Sequence, residues 1–167
     1  MHSHRNSGAG QLLRTILSEV DDSGPQQLVK VTGLAGQTIG EAVRAQHFGF
    51  SSHPPKDAEG LGLLIGGGAD RAHILGLEHP KFRPRNLPEG GAIQYDKDGN
   101  YVKIIGDVLT VNHAKKIVFQ VGGNTLTIDS SGFHFAGGMI DHDAHKIDKT
   151  HRHKDSVAGP DLTGAPQ

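Results

Sequence analysis

From Gly91 to Gly138 turn residues interrupt the chain at short, regular intervals, and this rhythm limits the possible folds more than any other feature. Turns fall at Asp96-Lys-Asp-Gly-Asn100, Gly106-Asp107, Ala114-Lys115, Gly122-Gly-Asn124, Asp129-Ser-Ser-Gly132 and Ala136-Gly-Gly138. Between them lie Gly91–Tyr95, Tyr101–Ile105, Val108–His113, Lys116–Val121, Thr125–Ile128 and Phe133–Phe135. Segments this short, rich in β-branched and aromatic residues and bounded by Gly, Asn and Asp, read as strands. Their side chains alternate: Ile117, Phe119 and Val121 share one side, as do Leu126 with Ile128 and Phe133 with Phe135. Each strand thus offers two or three inward apolar residues, too few for one chain to bury a core. Short strands that stack and share a core are the mark of a β-helix or β-prism, and intertwined chains would suit so thin a pattern.

Composition points the same way. Hydrophobic residues make up 35% of the 167 residues and aromatics 5%, while glycine occurs 24 times. A single compact core looks undersupplied, and self-association would bury more surface than one chain can. The net charge of −1 gives no reason to expect a nucleic-acid partner. The absence of cysteine excludes disulfides, thiolate metal sites and cysteine nucleophiles. There is no apolar run of the roughly 18 residues that a membrane helix needs, and Met1–Gly8 lacks a signal-peptide apolar region, so assembly in the cytoplasm is expected.

Upstream, residues 1–25 read as a polar arm followed by a short amphipathic helix. Leu12, Leu13, Ile16, Leu17 and Val20 form one stripe of a 3.6-residue period, closed by Asp21-Asp-Ser-Gly-Pro25. So short a helix must pack on the next domain or dock on a partner. Residues 26–86 then read as strands without a helix signal, the pattern of a small closed OB-type barrel. Gln27–Gly33 alternates, with Leu28 and either Val29 or Val31 inward, and Ala58–Gly68 with Arg71–Leu77 reads as a hairpin across a glycine-rich turn.

Gln46–Pro55 reads as an aromatic strand stopped by Pro54 and Pro55. His47, Phe48 and Phe50 are able to stack bases, but core packing is the expected role of the two phenylalanines. Lys30, Arg44, Lys56 and Arg71 are offset by Glu41, Asp57, Glu59 and Asp70, so no basic groove is visible. Gly66–Gly68 is not followed by the lysine of a phosphate loop. Phe82–Pro88 reads as a linker, and residues 87–140 form the strand-rich shaft.

Residues 141–167 hold only Ala144, Ile147, Val157, Ala158, Leu162 and Ala165 as apolar side chains, a composition that alone predicts disorder. Yet five of the chain's 12 histidines fall between His134 and His153. In an extended Thr150-His151-Arg152-His153, the imidazoles of His151 and His153 point to one face. One chain supplies two ligands; three chains around an axis supply six nitrogens, a set that suits octahedral Fe(II) or Ni(II) better than tetrahedral zinc. Asp148 or Asp155 is placed to offset the charge. His134, His142 and His145 are weaker candidates, and His134 is expected to point outward between Phe133 and Phe135.

This order of parts resembles the baseplate spike of contractile-tailed phages, and most closely the Mu-like baseplate assembly protein V family. The resemblance rests on Leu28-Val-Lys-Val-Thr-Gly-Leu-Ala-Gly36, His47-Phe-Gly-Phe-Ser-Ser-His-Pro-Pro55, Lys81-Phe-Arg-Pro84 and the end Thr150-His-Arg-His…Gly159-Pro…Gly164-Ala-Pro-Gln. It implies an all-β homotrimer in the virion: an OB-fold collar on a baseplate hub protein, an intertwined β-helix, and a metal-stapled tip. It also implies one iron ion per trimer, held by His151 and His153 of all three chains, with calcium and chloride inside the tip that no residue here can be assigned to. The implied action is mechanical puncture of a host outer membrane when the sheath contracts. The rival readings are an OB-type binding module and a cell-envelope-degrading enzyme. The second finds no support in the sequence, which has no His-Glu-X-X-His, no Gly-X-Ser-X-Gly and no tight carboxylate pair in a plausible pocket.

Overall fold

A computed structural model describes residues 10–68 and 71–147. Among these, every regular element apart from two three-residue 3₁₀ turns is a β-strand, so the chain is all-β. The first five strands are β1 (Gln11–Asp21), β2 (Leu28–Thr32), β3 (Thr38–Arg44), β4 (Glu59–Leu64) and β5 (Ala72–Glu78). They close a barrel in the order β1-β2-β3-β5-β4, with β1 pairing to both β2 and β4 and with β3 parallel to β5. Strand number and closure match the small barrel expected from the sequence. The hairpin expected across Gly66–Gly68 is the β4–β5 pair.

The amphipathic helix expected over residues 11–20 is instead β1, the strand that closes the barrel. Its buried side chains, Leu13, Thr15 and Leu17, follow a period of two, and Leu12 and Ile16 face outward. A register shift between Leu17 and Glu19 then lets Val20 pack against the core. With a hydrogen-bonded partner along each edge, the strand satisfies backbone groups that an isolated ten-residue helix would leave frayed.

The core consists of Leu13, Leu17, Val29, Val31, Ile39, Ala42, Ala58, Leu64, Ala72, Ile74 and Leu77. Of the candidate inward residues of β2, both Val29 and Val31 are buried, and Leu28 only partly. Close approach of β4 to β5 requires Gly60, where a Cβ would lie 2.7 Å from the Leu75 carbonyl oxygen.

Residues 45–57 form no strand, and Phe48 and Phe50 are exposed rather than packed in the core. Pro54 and Pro55 cannot donate to a ladder. The loop takes its shape from Arg44, whose guanidinium donates to the Gln27 and Gln46 side chains and to the Ser52 carbonyl and hydroxyl. That network draws residues 46–52 away from the barrel interior and leaves the phenylalanines outside.

Two three-stranded antiparallel meanders follow. The first is β6 (Ala92–Tyr95), β7 (Tyr101–Ile105) and β8 (Val108–Asn112); the second is β9 (Lys116–Val121), β10 (Asn124–Asp129) and β11 (Gly132–Ala136). A two-residue-per-strand hairpin, β12 (Asp141–His142) and β13 (His145–Lys146), comes last. The chain divides into two compact units, residues 1–114 and 115–167, so the first meander belongs with the barrel and the second with the hairpin.

The meanders are repeats of one module. Strands β8 and β11 start at 108 and 132 and end at 112 and 136, a constant shift of 24 residues that also relates the ends of β7 and β10. At that shift Ile93 corresponds to Ile117, Gly99-Asn100 to Gly123-Asn124, Ile104 to Ile128, Leu109 to Phe133 and Val111 to Phe135. The asparagine has the same task in both copies. Asn100 Oδ1 accepts the Ala114 N–H at 2.9 Å, and Asn124 Oδ1 accepts the Gly138 N–H at 2.7 Å.

Candidate assembly surface

In an antiparallel sheet, directly opposed residues share a face. In the second meander Leu126 lies opposite Phe119 and Phe135, and Ile128 opposite Ile117 and Phe133. One face is therefore Ile117, Phe119, Leu126, Ile128, Phe133 and Phe135, while the other carries Lys116, Val118, Thr125, Thr127, Asp129 and His134. In the single chain that apolar face is open: Phe133 is 71% exposed, Phe135 59% and Phe119 54%. Phe133 and Phe135 do point to one side, as their alternation predicts, with His134 on the other.

The first meander repeats the arrangement in aliphatic form. Val102 lies opposite Val111 and Ile104 opposite Leu109, again with Leu109 64% and Ile104 54% exposed. The two modules differ in their first hairpin. In the second it closes on the two residues Gly122-Gly123, which pairs Leu126 with Phe119. In the first it spans Asp96–Asn100, where Asp96 accepts from the Asp98 and Asn100 backbone N–H groups and the Asn100 side chain. That pairs Val102 with Gln94, one residue earlier in the aligned strand. A one-residue slip turns a strand over, so Ile93 and Tyr95 occupy the opposite face from their counterparts Ile117 and Phe119.

On that side Tyr95 meets the barrel: its hydroxyl lies 3.5 Å from Glu78 Oε1, and Glu78 is paired with Arg83 at 3.1 Å. Partial burial, and then the Glu78 carboxylate, push the Tyr95 phenol up. An open groove here is lined by Arg44, Phe50, Leu77, Phe82, Ile93 and Tyr95. Its two cations are engaged, Arg44 with the loop it anchors and Lys97 with Asp98 at 2.7 Å.

A second cluster holds the three residue types of a serine hydrolase, connected in a different way. Ser131 Oγ is 2.8 Å from His134 Nε2, but Asp129 Oδ1 lies 3.2 Å from that same nitrogen, and it also accepts from the Ser131 hydroxyl at 2.6 Å and N–H at 2.8 Å. A triad needs the carboxylate on the other ring nitrogen to orient the base. Here the three close the β10–β11 turn. The Ser131 hydrogen bonds, aided by His134, hold the Asp129 carboxyl down at about 2.

The metal-ligand candidates His151 and His153, with Asp148 and Asp155, lie outside the described residues. Among the described residues no group of three or more His, Cys, Asp or Glu side chains is arranged to hold a metal ion. His142 and His145 are described, and the hairpin brings them directly opposite each other.

Two comparisons bear on identity. Residues 14–81 match the family model of bacteriophage Mu Gp45, N-terminal, a span that coincides with the barrel. The chain is also 25% identical over 128 residues to the baseplate puncturing device gp45 of Escherichia phage Mu, a stretch that covers 77% of this chain and 64% of that protein. The match thus spans less than two thirds of the relative's length. The closed barrel thus matches the Gp45 N-terminal family model, and over a longer stretch the chain is similar to a baseplate protein of phage Mu.

Proposed function

We propose that the chain is the membrane-piercing central spike of a contractile tail baseplate, located in the virion and working by mechanics rather than catalysis. It assembles as a homotrimer: the barrels form a collar on a baseplate hub protein, and the meanders of three chains wrap into a β-helix. The observation that carries this reading is the open apolar face on each meander, most of all Phe119, Phe133 and Phe135. Exposed sheet faces of this kind are expected to be covered in the working protein. Burying one large apolar side chain contributes about 1.5–3 kcal/mol, so three chains sharing such faces gain a core that none has alone. The name of the phage Mu relative, a puncturing device of the baseplate, supports the same role.

Continuous interchain ladders would give the shaft stiffness. At its end, His151 and His153 of three chains would hold one iron ion through six imidazoles. The donor set fits an octahedral ion and leaves no ligand position open, so the metal would fasten three polar termini against splaying. Calcium and chloride in the tip interior remain part of the family expectation, without assigned residues. When the sheath contracts, the pointed trimer would be driven into the host outer membrane.

Elemental analysis of gently purified protein tests the tip. The expected result is one iron per three chains, lost in His151→Ala/His153→Ala while the trimer persists. Metal-free trimer, or loss of the trimer in that variant, would contradict the apical assignment.

A further inference from the structure

We propose a second metal site, separate from the one at His151 and His153: a two-imidazole chelate formed by His142 and His145 for a borderline divalent cation such as Ni(II) or Zn(II). The two are register partners in the β12–β13 hairpin, so both side chains leave the same face at adjacent positions. Asp143 and Ala144 between them have φ of 49° and 64°. Two successive left-handed residues form the two-residue turn whose twist matches a β-hairpin and fixes this opposition. The Ile147 N–H donates to the Ile140 carbonyl at 3.0 Å and extends the ladder by one more rung.

The hairpin has little else to hold it. Each strand is two residues long and exposed, and Ala144 takes a left-handed conformation that is unfavourable for a non-glycine residue. An isolated hairpin of this size is marginal in water, and a metal bridging its two strands is a staple of the kind small folds use. Asp143 Oδ2 lies 3.6 Å from His142 Nδ1, on the side that favours a proton there and leaves Nε2 as the ligand nitrogen. Asp141 and Asp143 supply negative charge for a dication, and water completes the coordination. Imidazole donors without thiolate suit Ni(II) and Zn(II). The site draws both ligands from one chain and does not depend on the trimer.

Ni²⁺ titration by calorimetry tests this in the full chain carrying His151→Ala/His153→Ala, which silences the other proposed site. A saturable site is expected whose affinity falls at least about tenfold when either His142→Ala or His145→Ala is added, since loss of one arm forfeits the chelate. Amide exchange at Ile147 should slow with Ni²⁺ in the parent and not in either added variant. Both histidines are exposed, so neither change threatens folding. A Ni²⁺ isotherm and Ile147 exchange indifferent to His142 and His145 would overturn the proposal.

Discussion

Asn124 accepts the backbone N–H of Gly138 through its side-chain oxygen at 2.7 Å, fourteen residues along the chain, and so ties the β9–β10 turn of the second meander to the segment that follows β11. Gly137 is folded against it with φ +82°, and a Cβ there would lie 2.7 Å from the Gly123 carbonyl oxygen. Replacing Asn124 by Ala should cost about 1 kcal/mol, the net worth of one hydrogen bond. Gly137→Ala should cost more, about 2 kcal/mol or above, because it adds both a steric clash and an unfavourable φ. Urea unfolding of the two variants, followed by a probe in the second meander, checks the order.

Phe133 distinguishes a covered face from an open one. In a lone chain it is 71% exposed, and Phe133→Asp would change stability by no more than about 0.5 kcal/mol, as for most surface positions. With the face buried between chains, the same change should cost over about 3 kcal/mol and break the assembly. Size-exclusion profiles of the variant across a dilution series read the difference.

Thr15 is 1% exposed on the inner face of β1, and its hydroxyl has no hydrogen-bond partner. Thr15→Val removes that unpaired group at nearly constant volume. It should stabilise the barrel by about 1 kcal/mol, the penalty for leaving a buried hydroxyl unpaired. A higher urea midpoint at unchanged slope is the expected result.

The Asp129 turn carries a pH dependence. Its carboxyl is held at about 2 against an ordinary 3.8, so the folded state favours the ionised form. A depressed carboxyl contributes stability that is fully present above its unfolded value and lost as pH falls through the folded one. The stabilising contribution of the ionised Asp129 carboxylate to the β10–β11 turn should therefore be fully present above about 4 and be lost between about 4 and 2. The Ser131 amide shift, followed by NMR, should titrate in that window and cease to do so in Asp129→Asn.

The meanders were the most legible part of the sequence because alternation and turn chemistry agree there. The stretch Thr125-Leu-Thr-Ile128 can bury one face only as a strand, and Gly122-Gly123 allows only a tight reversal. At β1 two periods compete. Leu12, Leu13, Ile16 and Leu17 fit a helical stripe, and the true alternation is hidden because its middle inward residue is Thr15 while Leu12 and Ile16 face solvent. Only pairing with β2 and β4, remote in sequence, decides between them. Phe48 and Phe50 misled for a related reason: hydrophobicity argues for burial, but the Arg44 network that holds their loop outward depends on Gln27 and Ser52, neither of which carries a local signal.

The apolar face of the meanders is legible in the sequence as a thin alternating pattern, and its repeat is harder to see. The signal was available: Gly99-Asn100 and Gly123-Asn124, with Ile104 and Ile128, recur at one fixed spacing. What sequence comparison alone does not reveal is the one-residue slip in the first hairpin. It arises from turn geometry at Asp96–Asn100 and sends Tyr95 toward the barrel while Phe119 joins the apolar face.

In the proposed spike these open faces are closed by copies of the same chain. Light scattering on the purified protein tests this most directly. A mass three times that of the 17.7 kDa chain, unchanged on dilution, is the expected result. A particle of 17.7 kDa with Phe119, Phe133 and Phe135 still open to solvent would contradict it.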